Sequence, residues 1–266
     1  PTTKKEVEMR GWNELDVILF SGDAYVDHPS FGPAVIGRLL EAQGLKVAIV
    51  PQPNWRDDLR DFKKLGRPRL FFGVSAGCMD SMVNKYTANK RLRSEDAYTP
   101  DGRHDMRPEY PSIVYTQILK KIYPDVPVIL GGIEASLRRV THYDYWQDCL
   151  RKSILIDSGA DLLIYGMGEK PITELCKRMK TLADAVGQPH ESAPAESLPI
   201  PHDILQTAYI TRKCDPLRPP DDTQEKPGME LHSHETGRKE KKKQAEDFRF
   251  IEEGSNKVEA SRIWQT

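Results

Sequence analysis

Short apolar runs alternate with helical patterns along the first part of the chain, to about residue 186. The runs are nearly continuous in apolar side chains, which is typical of strands covered on both faces of a parallel sheet. The predicted strands are residues 16–20, 46–50, 69–74, 126–130 and 161–165. Each gap between them is expected to hold a crossover connection, usually a helix.

Three segments, two in these gaps and one after the last strand, carry clear helical signals. GPAVIGRLLEAQG has one apolar stripe, with Gly44 placed to end the helix. PSIVYTQILKKIY begins at Pro111 and PITELCKRMK begins at Pro171, and proline is favoured in the first turn of a helix. We expect a further helix after Tyr145. The alternation predicts an α/β fold with a five-stranded, doubly wound parallel sheet, flavodoxin-like in its simplest form.

The composition changes after this region, which sets the predicted domain limits. Residues 10–186 form the α/β domain, and residues 187–247 are rich in proline and charge, which predicts a disordered linker. Within this largely irregular tail, ILQTAYITRK has the pattern of one more strand. Residues 248–266 are expected to begin a further element that continues past Thr266.

Charge and cysteine content narrow the function classes. A formal net charge of -1 over 266 residues gives no reason to propose nucleic acid as the main partner. No apolar stretch is long enough for a membrane span and no signal peptide is visible, so a cytoplasmic location is expected. The cysteines are widely spaced and form no C-x2-C pair, so no metal site of their own is predicted. They are Cys78, Cys149, Cys176 and Cys214.

One connection, from Cys78 to Tyr110, is too long for an ordinary loop after a strand, and such loops are usually functional or disordered. We call it the insert. Acidic and basic residues are equally frequent in it, which argues against a simple phosphate-binding arm. The basic residues are Lys85, Lys90, Arg91, Arg93, Arg103 and Arg107, and the acidic ones are Asp80, Glu95, Asp96, Asp101, Asp105 and Glu109.

Polar and glycine-containing segments follow four of the predicted strands. Ligands of open α/β sheets bind outside the carboxyl ends of the strands, so these segments are expected to share one rim. The rim candidates are Asp23, Asp27, His28, Ser75, Asp80, Gly131, Gly132, Glu134, Arg138, Arg139, His142, Gly168 and Glu169. The alternative is structural: the glycines form turns, the arginines face solvent and the aromatic residues pack. No nucleophile elbow, P-loop or H-E-x-x-H motif occurs, so no catalytic residue is assigned.

Three stretches carry a resemblance to a family. EMRGWNELDVILFSGDAYVDHPSFG, GGIEASLRRVTHYDYW and GMGEKPITEL resemble the N-terminal region of the YgiQ family of bacterial radical S-adenosylmethionine (SAM) proteins, over roughly residues 8–180. The resemblance implies a cobalamin-binding-like α/β domain followed by a partial TIM-type barrel. That barrel carries a C-x3-C-x2-C motif, which holds three irons of a 4Fe-4S cluster and leaves the fourth open for SAM. The motif is absent here, so the barrel is expected beyond Thr266.

The resemblance also bears on cobalamin. The signature D-x-H-x-x-G is matched by Asp27 and Gly32, but Pro29 stands at the position of the cobalt-binding histidine and His28 is one place early. That departure, and an insert able to fill the space of the corrin, argue against cobalamin binding. Many cobalamin-dependent radical proteins lack this histidine, so cobalamin stays open as the less favoured alternative.

Together these patterns predict an accessory domain of a radical SAM 4Fe-4S protein, which positions substrate or cofactor over the catalytic barrel. Its expected partner is its own C-terminal radical SAM domain, with SAM and the 4Fe-4S cluster bound outside this chain. The alternative is a non-catalytic module that binds a macromolecular partner through the insert and the segment from Arg138 to Trp146.

Overall fold

The computed structural model describes residues 1–25, 31–186, 198–211, 229–255 and 263–265. Its strands are β1 (Leu15–Ser21), β2 (Val47–Pro51), β3 (Pro68–Ser75), β4 (Val128–Gly131), β5 (His142–Asp144), β6 (Cys149–Arg151), β7 (Leu162–Ile164), β8 (Thr207–Ala208), β9 (Met229–Leu231) and β10 (Ile263–Gln265). Its helices are α1 (Lys4–Met9), α2 (Gly32–Ala42), α3 (Arg60–Lys63), α4 (Ser81–Lys85), α5 (Pro111–Ile122), α6 (Gly132–Leu137), α7 (Ile154–Ser158), α8 (Glu169–Val186), α9 (His234–Lys239) and α10 (Lys241–Ser255). The chain forms two compact units, residues 1–139 with 154–210, and residues 140–153 with 211–266.

The first unit contains a sheet with the strand order β2-β1-β3-β4-β7-β8. All neighbours are parallel except β8, which runs antiparallel to β7. The prediction of an α/β fold with a mostly parallel sheet is confirmed. The sheet has six strands rather than the predicted five, because β8, which lies within ILQTAYITRK, pairs with the outer edge of β7. That pairing satisfies backbone groups that would otherwise form an open edge.

Both faces of this sheet are covered, which explains the unbroken apolar character of its strands. Every residue of β1 is buried. Ile18 and Phe20 pack in one core with Tyr115 of α5. Val17 and Leu19 pack on the opposite side, in the core that receives the apolar faces of α2 and α8. Alternating side chains of one strand therefore enter two different cores.

The predicted helices are present, and one of them begins later than expected. The helices predicted from the three striped segments correspond to α2, α5 and α8. The helix expected after Tyr145 is α7 (Ile154–Ser158), but the residues directly after Tyr145 are not helical, because they belong to the antiparallel hairpin of β5 and β6. Asp148 has a φ of 53°, and its carboxylate accepts a hydrogen bond from the Tyr143 hydroxyl across the turn. The turn geometry overrides a helical pattern that has few apolar residues.

The second unit holds the hairpin, the parallel pair β9 and β10, and helices α9 and α10. These helices lie where the charged composition predicted irregular chain. Ser233 caps α9, because its hydroxyl oxygen accepts the Thr236 N–H. The buried carboxylate of Asp247 in α10 accepts the backbone N–H of His232 and lies 2.8 Å from the Nδ1 atom of the same histidine. Residues 187–197 and 212–228 lie outside the described residues, so the limits at 186 and 247 stay predictions.

Candidate functional site

Four parallel strands end on the same side of the first unit's sheet. Strands β1, β3 and β4 end at Ser21, Ser75 and Gly131, which are paired in register, and β7 ends at Ile164 beside them. We call the last residue of each of these strands and the segment that follows it the carboxyl edge: residues 21–25, 75–80, 131–139 and 164–169. The arrangement places the described rim candidates of the first unit after the ends of neighbouring strands.

Glycines allow two of these segments to touch. A Cβ on Gly22 would lie 2.1 Å from the carbonyl oxygen of Ala76, and a Cβ on Gly77 would lie 2.1 Å from a carboxylate oxygen of Asp23. Gly77 also has a φ of +116°, which other residues rarely adopt. The close approach places the Asp23 carboxylate against the Cys78 N–H, at 2.7 Å.

The buried guanidinium of Arg107 joins the insert to the ends of β1 and β3. Its Nη1 donates to Asp23 at 2.9 Å and to the Ala76 carbonyl at 3.1 Å. Its Nε and Nη2 donate to both carboxylate oxygens of Asp96 at 3.0–3.1 Å. All three charged side chains are buried. Such a pairing is needed, because a buried charge without a partner is strongly unfavourable.

Two titratable groups beside Arg107 are perturbed by burial. Burial raises the pKa of Asp23, although the Arg107 guanidinium and the Cys78 N–H act in the opposite direction. Burial also raises the pKa of the Cys78 thiol, so the neutral thiol is favoured. The geometry therefore favours a structural role for this group of side chains over a reactive cysteine.

Glu134 is on the inner side of α6, and its side chain is fully buried. One of its oxygens accepts the N–H and the hydroxyl of Ser81, and the other accepts the Ser112 N–H at 3.2 Å. Burial raises the pKa of Glu134, opposed by the charge of Arg138. A carboxylate of α6 is thus bonded to the first residues of α4 and α5 and fixes all three helices to one another.

Arg138 forms the second buried ion pair of the carboxyl edge, with Asp80. Asp80 also caps α4, since its carboxylate accepts the backbone N–H groups of Met82 and Val83 at 3.0 and 3.3 Å. This contact joins two of the residues that the sequence predicted for the rim. Because Arg138 is buried, its guanidinium is directed into the fold rather than toward solvent.

The other predicted rim residues have more varied positions. Ser75 accepts the Gly77 N–H, Gly131 and Gly132 join β4 to α6, and Gly168 and Glu169 lie at the start of α8. Arg139 is half-buried, with its guanidinium 5.0 Å from the centre of the Tyr165 ring. His142 belongs to the second unit, in β5. Asp27 and His28 lie outside the described residues.

Arg107, Asp96 and Ser81 were missed as site residues by the sequence analysis. They lie in the insert, whose signal was the equal number of acidic and basic residues. A polar segment that carries its own counter-charges can bury some of them, whereas a segment of one charge cannot. The equal number of acidic and basic residues therefore indicated that the insert packs through internal ion pairs, and it did not indicate which ligand the protein binds.

Residues for an iron–sulfur cluster do not come together here. Within the described ranges no group of three histidine, cysteine or acidic side chains could hold a metal ion. Cys176 is buried in α8, and burial raises the pKa of its thiol to about 12. Cys149 is exposed in the second unit. These thiols do not fit the three-thiolate binding of a 4Fe-4S cluster.

The described part of the carboxyl edge also does not fit a corrin. Besides Arg107, the insert contributes the Tyr98 carbonyl, which accepts the Ala24 N–H, and the Thr99 hydroxyl, which is bonded by Gln52 after β2. The insert therefore lies on the ends of β1, β2 and β3, where a flat cofactor would rest. Residues 26–30, which hold the signature positions, lie outside the described residues.

Among the helices that the structure describes, none has the length and apolar character that crossing a bilayer requires.

A family profile and the curated relatives point to the same family of proteins. A profile described as radical SAM N-terminal matches residues 1–266. The chain is 72% identical over 265 residues to a UPF0313 protein of Bacteroides thetaiotaomicron, covering 100% of this chain and 42% of that protein. It is 64% identical to a UPF0313 protein of Porphyromonas gingivalis, of which it covers 39%. It is 51% identical over 81% of its length to the UPF0313 protein YgiQ of Escherichia coli, of which it covers 27%.

One solved structure is also similar, though more distantly. It is the radical S-adenosylmethionine methyltransferase TsrM from Kitasatospora setae, with cobalamin and a [4Fe-4S] cluster bound. The TM-score is 0.40 at 20% identity, and the match covers 62% of this chain and 24% of that one. The chain spans about two fifths of the length of the first two curated relatives, 42% and 39%. It belongs to the radical SAM N-terminal family and is the N-terminal region of a UPF0313 protein of the YgiQ type.

Proposed function

We propose that this chain is the accessory domain of a radical SAM enzyme and that its carboxyl edge positions substrate or cofactor against the catalytic domain. The proposal is supported by the parallel strands β2-β1-β3-β4-β7, because ligands of open α/β sheets lie at the carboxyl ends of the strands. The residues that would form the edge's surface are Ser75, Gly131, Gly132, Gly168 and Glu169.

The observation that carries the proposal is the pair of buried arginine–carboxylate networks below this surface. Arg107 fixes the loops after β1 and β3, and Arg138 with Asp80 fixes α6 against α4. Positioning requires a surface whose backbone is held rigidly by a supporting layer of side chains. Asp23, Asp80, Glu134 and Arg138 would then act as positioning residues rather than as groups that touch a ligand.

The cofactors implied by the family would be bound by the remainder of the longer protein. A 4Fe-4S cluster with bound SAM supplies the radical chemistry. This chain's own residues would order the adjoining surface and exclude water from it. Cobalamin is the less favoured addition, because the insert occupies the ends of β1, β2 and β3.

The test uses the full-length protein, purified anaerobically and analysed for iron, sulfide and cobalt. Gly131→Val places a side chain on the edge in open space, in an extended conformation that any residue adopts. Thr181→Val is the matched control, because Thr181 is exposed near the far end of α8. We expect Gly131→Val to keep the melting temperature and iron content and to change the rate of reductive SAM cleavage. Equal rates in wild type and both variants would refute a positioning role for the edge.

A second candidate function is supported by the hairpin of the second unit. Tyr143 and Tyr145 are exposed aromatic residues, and such residues often anchor macromolecular partners. Arg138, by contrast, is buried and is not available to such a partner. Parallel affinity purification of the wild-type protein and a Tyr143→Ser, Tyr145→Ser variant tests the idea. A partner lost selectively from the variant supports it, and equal recovery refutes it.

A further inference from the structure

Helix α6 buries charged side chains and exposes large apolar ones, which is the opposite of the usual distribution. Its buried side carries Glu134 and is continued by Arg138, and both are held by ion pairs and hydrogen bonds. Its outer side carries Ile133 and Leu137, which are 44% and 58% exposed. These two residues are four apart and therefore share one helical face. A single exposed leucine needs no explanation, but a helix that buries Ala135 with its charged residues and exposes both of its large aliphatic residues does.

The loop after β7 is bonded to α6 and carries a third exposed apolar residue. The Gly166 N–H donates to the Ser136 hydroxyl of α6 at 3.1 Å, and the Tyr165 ring lies against Arg139. Met167 follows in the same loop and is 73% exposed. We call Ile133, Leu137 and Met167 the apolar face of the carboxyl edge. It is held in place from below, so its exposure is a property of the ordered fold.

We propose that this apolar face is the docking surface for the remainder of the same polypeptide, the catalytic part that the longer relatives contain. The inference rests on the proposed function and names the residues through which the two parts would meet. The chain spans only 42% and 39% of the first two relatives, so most of such a polypeptide lies outside it. The face also lies at the edge where ligands of such sheets bind.

The size of the face favours a tethered partner over a second copy of the chain. Stable complexes between separate proteins bury about 1,200–2,000 Å² in total, which three side chains fall well short of. A segment of the same chain needs much less, because its effective concentration reaches about the millimolar range. Methionine adapts to an irregular partner surface, which suits a contact of this kind.

Hydroxyl-radical footprinting of the full-length protein provides the test, because the chain contains a matched internal control. Met9 on α1 is 78% exposed, close to the value for Met167, and lies away from the carboxyl edge. We expect Met167 to be labelled several-fold less than Met9. Leu137→Glu should restore labelling of Met167 to the level of Met9. Ile156→Glu on α7, at 54% exposure in the wild type, should leave the protection unchanged.

Several outcomes would overturn the proposal. Equal labelling of Met9 and Met167 in the full-length protein means that nothing covers the face. Protection that disappears on dilution means that a second copy covers it. If Met167 is labelled freely while Gly131→Val still changes SAM cleavage, the docking surface is wrong and the proposed function stands. If Met167 is protected while Gly131→Val has no effect, docking stands and the positioning role fails.

Discussion

The replacement Arg107→Ala tests whether the insert is fixed by buried charge. It removes the partner of two buried carboxylates at once. Asp23 keeps the Cys78 N–H and Asp96 keeps the Tyr98 N–H, at 2.7 and 2.9 Å, but neither keeps a positive charge. Removing one partner of a buried ion pair costs about 3–5 kcal/mol. We expect a loss of about 4 kcal/mol, a large share of the roughly 5–15 kcal/mol by which domains are stable.

Urea unfolding followed by circular dichroism measures this loss, with the slopes of the transitions compared between variants. Arg103→Ala is the matched control in the same insert. Arg103 is exposed and lies 3.4 Å from Asp101, so its removal should change the unfolding free energy by no more than about 0.5 kcal/mol. If Arg107→Ala changes the unfolding free energy as little as this control, then water reaches the carboxylates, and buried charge does not fix the insert.

Three further tests, two of them with a control substitution, rest on the same geometry. Gly22→Ala should destabilise by about 2 kcal/mol or more, because its Cβ would lie 2.1 Å from a carbonyl oxygen, whereas Gly131→Ala, with open space, should leave the melting temperature unchanged. Arg138→Ala should cost about 3 kcal/mol in urea unfolding by leaving a buried carboxylate unpaired, and half-buried Arg139→Ala about 1 kcal/mol. Burial raises the pKa of Glu134, so the folded chain holds that proton more tightly and its stabilising effect falls as pH rises from about 4.3. The difference in unfolding free energy between wild type and Glu134→Gln should therefore shrink toward neutral pH, and a constant difference would contradict the assignment.

The sheet was largely predictable because its signal is local. The apolar run 16–20 lies within β1 (Leu15–Ser21), since a strand buried on both faces requires apolar residues at every position. The hairpin of β5 and β6 was not predictable in this way. It depends on a turn whose Asp148 adopts a positive φ and on a hydrogen bond between two side chains, and neither leaves a periodic pattern.

The candidate site was predictable in its location and not in its organisation. Glu134 and Arg138 were expected near the end of β4, and in the structure both follow that strand, Glu134 within α6 and Arg138 directly after it. Their burial was not expected, because charged residues are seldom inside without partners that are distant in sequence. Those partners, Ser81 and Asp80, lie 53 and 58 residues away. Pairings at such separations are decided by the tertiary fold.

The same separations set the order in which the insert can form. Arg107 bonds Asp96 across 11 residues and Asp23 across 84. The first contact closes a short loop, but the second requires the ends of β1 and β3 to be aligned already. We therefore expect the guanidinium to lose its water after the sheet has assembled. Side chains that pair after the rate-limiting step slow unfolding without speeding folding, so the insert is expected to slow the unfolding of a sheet that forms without it.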